Sequence, residues 1–203
     1  CGTGFRVGNG SLGLTAAHVL AGVDNPHLLF VFQNRWQAIP LTVLAEHRIQ
    51  DICVFEFTPP EQLPESWLAP VSSSENSSLV YMLWGYPEDI LYDHVDGAQC
   101  GRQEPRPELN YSQGYIRRRF DGRLPGLRGN AFYELSDVAG AGCSGAPIFK
   151  RPPRQDQKWA LIGMYVGERQ IERNGFAREI GYALRIDAVL DFLSDNRVEV
   201  LAT

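Results

Sequence analysis

The chain has 203 residues, of which 44% are hydrophobic and 21% charged. That balance supplies enough apolar surface for one large packed domain or two small ones and excludes a disordered chain. A formal net charge of −5 gives no basic footprint for nucleic acid, and no apolar run approaches the roughly 20 residues that a membrane-spanning helix needs.

Read in chain order, the sequence offers many short strands and few helices. A short helical turn is predicted at 16–20, followed by strands rich in branched and aromatic side chains at 28–32, 40–44 and 52–57. The stretch 58–78 carries Pro59, Pro60, Pro64 and Pro70 and two serine-rich runs, which reads as a linker. It divides the chain into an N-terminal strand-rich half, residues 1–70, and a C-terminal half, residues 71–203. In the second half, strands are predicted at 79–84, 160–166 and 181–186, with long loops at 103–107 and 122–129. Arg117-Arg118-Arg119 reads as a solvated strand or loop. Asp187 is placed to cap a final helix carrying Val189, Leu190, Phe192 and Leu193 on its apolar side. Short strands at this spacing predict an all-β chain, an antiparallel sandwich or barrel.

Four cysteines (Cys1, Cys53, Cys100 and Cys143) are too few and too scattered for a disulfide scaffold or a CxxC zinc site. That leans toward a reducing compartment, cytoplasmic rather than secreted. The sequence opens at Cys1 without a methionine, as expected of a fragment or processed product. No HExxH and no clustered His and Cys ligands are present, so no metal and no cofactor is expected.

The most informative segment is Gly140-Ala141-Gly142-Cys143-Ser144-Gly145-Ala146-Pro147. Its letters match GxGxxG, but Pro147 and the strand-like Ile148-Phe149 follow where a phosphate-binding motif needs a helix. Ala146 in the last position also rules out the GxSxG nucleophile elbow. Alone, the segment would be a glycine-rich turn with an exposed serine. It is accompanied by Thr15-Ala16-Ala17-His18, a histidine ending a small-residue turn, a context that His27, His47 and His94 lack. It is also accompanied by Gln50-Asp51-Ile52-Cys53-Val54, a carboxylate leading into a strand. Asp24 is nearer to His18 in sequence but sits in a plain turn signal, so Asp51 is preferred.

Together these segments resemble the trypsin-like (chymotrypsin-fold) serine proteases: the Gly-x-Ser-Gly-x-Pro nucleophile loop, the Thr-Ala-Ala-His motif preceded by Gly2-Thr3-Gly4-Phe5, and the aspartate strand. The order His18, Asp51, Ser144 is also that family's order. Trp84-Gly85-Tyr86-Pro87 resembles the opening strand of the second barrel in bacterial members, and 181–186 resembles the last barrel strand. The resemblance implies two antiparallel six-stranded β-barrels with a short C-terminal helix, the strand expected before Gly2 being missing through truncation. It implies an endopeptidase acting on a protein or peptide substrate. Ser144 would be the nucleophile, His18 its base and Asp51 the residue that orients the ring, while the Gly142 and Ser144 amides form the oxyanion hole.

The substrate-binding residues it implies are Val138, Ala139, Tyr165, Val166 and Gly181. Val138, six before the nucleophile, sits at the base of the pocket for the side chain preceding the cut, so small or medium apolar side chains are expected there. A slip of one position would put Asp137 in the pocket and favour basic side chains. Cys143 replaces the aspartate that, in digestive members, pairs with a newly cut N-terminus, and is expected to be a small buried residue rather than the nucleophile. Control is therefore expected from a regulatory domain or partner protein that orders loops around 102–130. Val19 replaces a half-cystine of secreted relatives. The alternative reading is an inactive barrel serving as a binding or scaffold module, against which stand the three filled triad positions.

Overall fold

The computed structural model describes residues 1–7, 10–32, 35–60, 79–88, 108–150, 159–173 and 175–198. In the N-terminal half, β1 (Gly4–Val7), β2 (Leu12–Thr15), β3 (His27–Phe32), β4 (Arg35–Glu46) and β5 (Cys53–Phe57) form one antiparallel sheet ordered β1-β2-β5-β4-β3. The one-turn helix α1 (Ala17–Leu20) follows β2. In the C-terminal half, β6 (Val80–Gly85), β7 (Asn110–Asp121), β8 (Ala131–Leu135), β9 (Pro147–Lys150), β10 (Ala160–Arg173) and β11 (Phe176–Arg185) close into a barrel ordered β10-β11-β8-β7-β6-β9. A 3-10 turn (Ile186–Val189) leads into α2 (Leu190–Asp195).

The all-β architecture and the closed six-stranded second barrel agree with expectation. The N-terminal half contains five strands among the described residues rather than six. The domain boundary at 70/71, most of the 58–78 linker and the 103–107 loop lie outside the described residues. From residue 110 onward, the stretch read as controlling loops is the long strand β7. Residues 122–130 are a compact turn in which Leu124 bridges to Leu127 and both pack against the core.

Strand formation follows side-chain shape. β5 is buried at Cys53, Val54, Phe55 and Phe57, leaving only Glu56 part-exposed, and β8 is buried along its whole length. The C-terminal barrel is filled by Tyr81, Leu83, Ile116, Tyr133, Leu135, Ile148, Ile162, Tyr165 and Ala183. A second cluster joins the two halves: Leu14, Ile52 and Val54 pack with Phe132, Met164, Tyr182 and Leu184, and the C-terminal helix adds Val189 and Leu193. Such burial stabilises by about 1.5–3 kcal/mol per large side chain relative to exposure, and here it fixes how the N-terminal sheet meets the barrel.

Asp187 does not cap the last helix. The 3-10 turn has no side-chain cap at all. The Asp187 carboxylate instead accepts from the buried Arg185 guanidinium at 3.1 Å and from Arg119 at 2.5 Å. A buried guanidinium without a partner is costly, so Asp187 is held by charge rather than by helix geometry. The arginine run does lie on a strand, but two of its members are engaged: Arg118 pairs with Glu134 at 2.6 Å and lies 4.7 Å over the Phe120 ring.

Candidate active site

His18 owes its position to Asp51. The first-turn N–H groups of a helix lack intrahelical partners, and Ala16, at the N-cap position of α1, has no oxygen to offer. The Asp51 carboxylate fills the gap from the turn that precedes β5. Its Oδ1 accepts the His18 backbone N–H at 3.0 Å, and its Oδ2 lies 2.5 Å from His18 Nδ1. An ionised carboxylate only accepts, so Nδ1 carries the proton of this pair and Nε2 is left as the basic nitrogen. Asp51 is 2% exposed, while the His18 side chain is 45% exposed. Asp51, not Asp24, thus meets His18.

The turn that presents Asp51 is locked by a second histidine. His47 Nδ1 accepts the backbone N–H groups of Ile49 at 3.1 Å and Gln50 at 2.9 Å, and the His47 N–H closes the turn on the Ile52 carbonyl at 3.0 Å. An accepting Nδ1 requires the neutral ring. Burial, reinforced by the Arg128 charge, holds the His47 pKa below its ordinary 6.5. The unfolded chain therefore binds the extra proton more readily, and His47 contributes stability above pH 6.5 that is lost as the pH falls below it. His47→Asn keeps an acceptor but does not titrate. The fall in urea midpoint between pH 7.5 and 5.5 should be smaller in that variant than in the parent, and equal falls would refute the assignment.

The same turn is tied to the C-terminal half. The Arg128 guanidinium donates to the Glu46 carboxylate and to the His47 carbonyl. Gln50 and Asn130 exchange hydrogen bonds, side-chain amide to Asn130 Oδ1 at 2.5 Å and Asn130 N–H to Gln50 Oε1 at 3.1 Å. Cys53, one strand position beyond Ile52, is an inert thiol. Burial first, then the charges of Glu46 and Asp51, push its pKa up to about 12.

The segment 140–146 folds as two successive turns. Cys143 N–H bonds to the Gly140 carbonyl at 3.2 Å, and Ala146 N–H to the Cys143 carbonyl at 2.8 Å. The third residue of each turn is a glycine at positive φ, 88° at Gly142 and 92° at Gly145. Gly145 is further constrained, since a Cβ there would come within 2.0 Å of the Thr3 carbonyl and 2.4 Å of the Thr15 hydroxyl. The glycine therefore lets the serine loop sit directly on the Thr3 carbonyl, the Thr15 hydroxyl and the Ala16 nitrogen, the last of them two residues before His18. The N–H groups of Gly142 and Ser144 donate to nothing among the described residues. Nor does the Ser144 hydroxyl bond to the His18 ring among them; such contacts are often long without substrate.

Thr3 is the residue that sequence reasoning missed. Its N–H donates to the Ser144 carbonyl at 2.8 Å, and its hydroxyl donates to the Gly142 carbonyl at 2.9 Å. The same hydroxyl accepts the Tyr86 N–H at 3.0 Å, and the Thr3 carbonyl accepts the Thr15 hydroxyl at 2.7 Å. Both carbonyls flanking Cys143 are thereby pinned, which fixes the peptide planes of the loop. The only sequence signal was the Gly2-Thr3-Gly4 run, which gives no hint of a partner 139 residues away.

Of the residues implied for substrate binding, Val138 and Ala139 are half-buried on the stretch leading into the loop, and Tyr165, Val166 and Gly181 are buried on β10 and β11. Asp137 turns elsewhere: its Oδ2 accepts the Ser136 hydroxyl at 2.7 Å, in the cluster that a Cβ on Gly114 would strike together with the Tyr81 hydroxyl. Cys143 is buried in the barrel core, with its Sγ against Gly85.

A five-stranded sheet packed on a closed six-stranded barrel, with a His–Asp pair on the first and a serine loop on the second, is the layout of a double-barrel hydrolase. The trypsin-like peptidase domain family matches residues 2–164, and the chain belongs to that family. No curated protein matches the sequence. Among solved structures, it is similar in fold to the HtrA-type protease AlgW with a decapeptide, at 17% identity and TM-score 0.66 over 96% of this chain and 50% of that one. The Rv3671c protease of M. tuberculosis in its inactive form aligns at 19% identity and TM-score 0.61 over 96% of this chain and 83% of that one. The MamO protease domain from Magnetospirillum magneticum, in its apo form, aligns at 12% identity and TM-score 0.61 over 95% and 87%. The chain spans about half the length of the HtrA-type proteases it matches.

Proposed function

We propose that the protein is a serine endopeptidase that cleaves peptide bonds with Ser144, His18 and Asp51. The observation that carries this reading is the buried Asp51 carboxylate holding both the backbone and the ring of His18, with the Ser144 loop seated against the Thr15 hydroxyl and the Ala16 nitrogen beside it. His18 Nε2 accepts the proton as Ser144 Oγ attacks the substrate carbonyl carbon. Asp51 stabilises the imidazolium that forms. The developing oxyanion is received by the N–H groups of Gly142 and Ser144, which have no acceptor among the described residues; a single such donor is worth about 2.7–4 kcal/mol. The C–N bond then breaks, His18 returns the proton to the leaving amine, and water hydrolyses the ester by the reverse sequence of proton transfers.

AlgW, solved with a decapeptide, supports a peptide as the class of substrate. A fluorophosphonate probe tests the reading: the protein should be labelled, and His18→Ala should lose labelling at least 100-fold while keeping its folded circular dichroism spectrum. An unlabelled, folded parent protein would leave the barrel as a binding module and refute the proposal.

A further inference from the structure

The residue preceding a cut bond must place its side chain beside Ser144. The residues that the resemblance implies for that position lie on three walls. One is the 137–139 stretch leading into the loop. The second is β10, tied to the loop by the Gly145 N–H to the Tyr165 carbonyl at 2.7 Å and by the Tyr165 N–H to the Ala146 carbonyl at 2.9 Å. The third is Gly181 on β11, so close that a Cβ there would lie 2.6 Å from the Asp137 carbonyl and 3.2 Å from Tyr165 Cε2.

The space between these walls is filled by one phenol ring. Tyr165 is fully buried, and its hydroxyl reaches across to the opposite wall, accepting the Ala139 N–H at 3.3 Å and donating to the Glu168 carboxylate at 2.7 Å. A β-bulge at Val166, the extra residue between the pairs Tyr165↔Ala183 and Gly167↔Tyr182, bends the strand at this point. Burial and the Glu168 carboxylate keep the phenol well above its ordinary pKa, so it stays a neutral donor. Tyr165 lines neither of two neighbouring cavities, one of 390 Å³ beside α1 lined by Thr3, Thr15 and Val19, and one of 460 Å³ against β6 and β7 lined by Gly114, Ser136 and Asp137.

We propose that Tyr165 is a specificity-determining residue that plugs the pocket for the side chain preceding the cut and restricts cleavage to bonds after glycine or alanine. The proposal rests on the endopeptidase reading and sharpens it: Val138 would accept a medium apolar side chain, whereas the Tyr165 ring excludes one. The exclusion is steric, and Glu168 and the Ala139 amide hold the ring in place.

The test is a peptide library varied at the position before the cut, run on the parent protein, Tyr165→Val and Tyr165→Phe, with fluorophosphonate labelling of each in parallel. The parent should cleave after glycine and alanine, and Tyr165→Val should raise kcat/KM for leucine relative to alanine by about 10–200-fold. Tyr165→Phe retains the ring and should retain the small-residue profile, which separates bulk from hydrogen bonding. A parent that prefers leucine, phenylalanine or arginine overturns the proposal whether or not Tyr165→Val folds, as does a labelled Tyr165→Val with an unchanged profile. A folded parent that is not labelled refutes the hydrolase reading itself and the plug with it.

Discussion

Replacing Ser144 with alanine should lower peptide hydrolysis by about four to six orders of magnitude, the loss seen when a serine nucleophile is removed from an intact site. The side chain is half-buried at the tip of a turn whose geometry is set by Gly142, Gly145 and Thr3, so the melting temperature should stay within a few degrees. Cys143→Ala is the matched control. Its sulfur packs against Gly85 inside the barrel, so alanine there removes core contacts and should cost stability while leaving most of the rate. The reverse pattern, with activity surviving in Ser144→Ala and lost in Cys143→Ala, would make the cysteine the nucleophile.

Asp51→Asn should be nearly as damaging for a different reason. Asparagine keeps an oxygen for the His18 backbone N–H, so α1 stays capped and the fold is retained. Its amide then faces Nδ1 and forces the ring into the tautomer whose Nε2 already carries a proton. The expected loss in kcat is about four orders of magnitude. A loss below tenfold would mean that the 2.5 Å pair with His18 does not orient the base.

Much of the site was legible because its residues are short-range motifs. Thr15 to His18, Asp51 before a strand and the Gly142 to Pro147 loop each announce themselves within a few positions. Strands with a buried face, such as β5 and β6, were equally plain. β7 was not, because only Ile116 along its 12 residues is buried and the arginines hide any alternation. β10 and β11 run past their apolar runs as a polar ladder from Gly167↔Tyr182 to Arg173↔Phe176, held by backbone pairing that side-chain patterning does not reveal.

Long-range partners were the other blind spot. Thr3 acts on Gly142 and Ser144 from the opposite end of the chain. Asp187 looks like a cap in sequence and is an arginine clamp in the structure. Tyr165 reads as an ordinary apolar strand residue, yet only the folded arrangement brings its hydroxyl to Ala139 and Glu168.

Ser144, activated by His18, is proposed as the group that attacks. Mass spectrometry of the fluorophosphonate-treated protein, digested after labelling, tests it directly. The predicted result is a single stoichiometric adduct on the peptide containing residues 140–150, fragmented to Ser144 and absent from Ser144→Ala. An adduct on Cys143, or none in the folded protein, would contradict it.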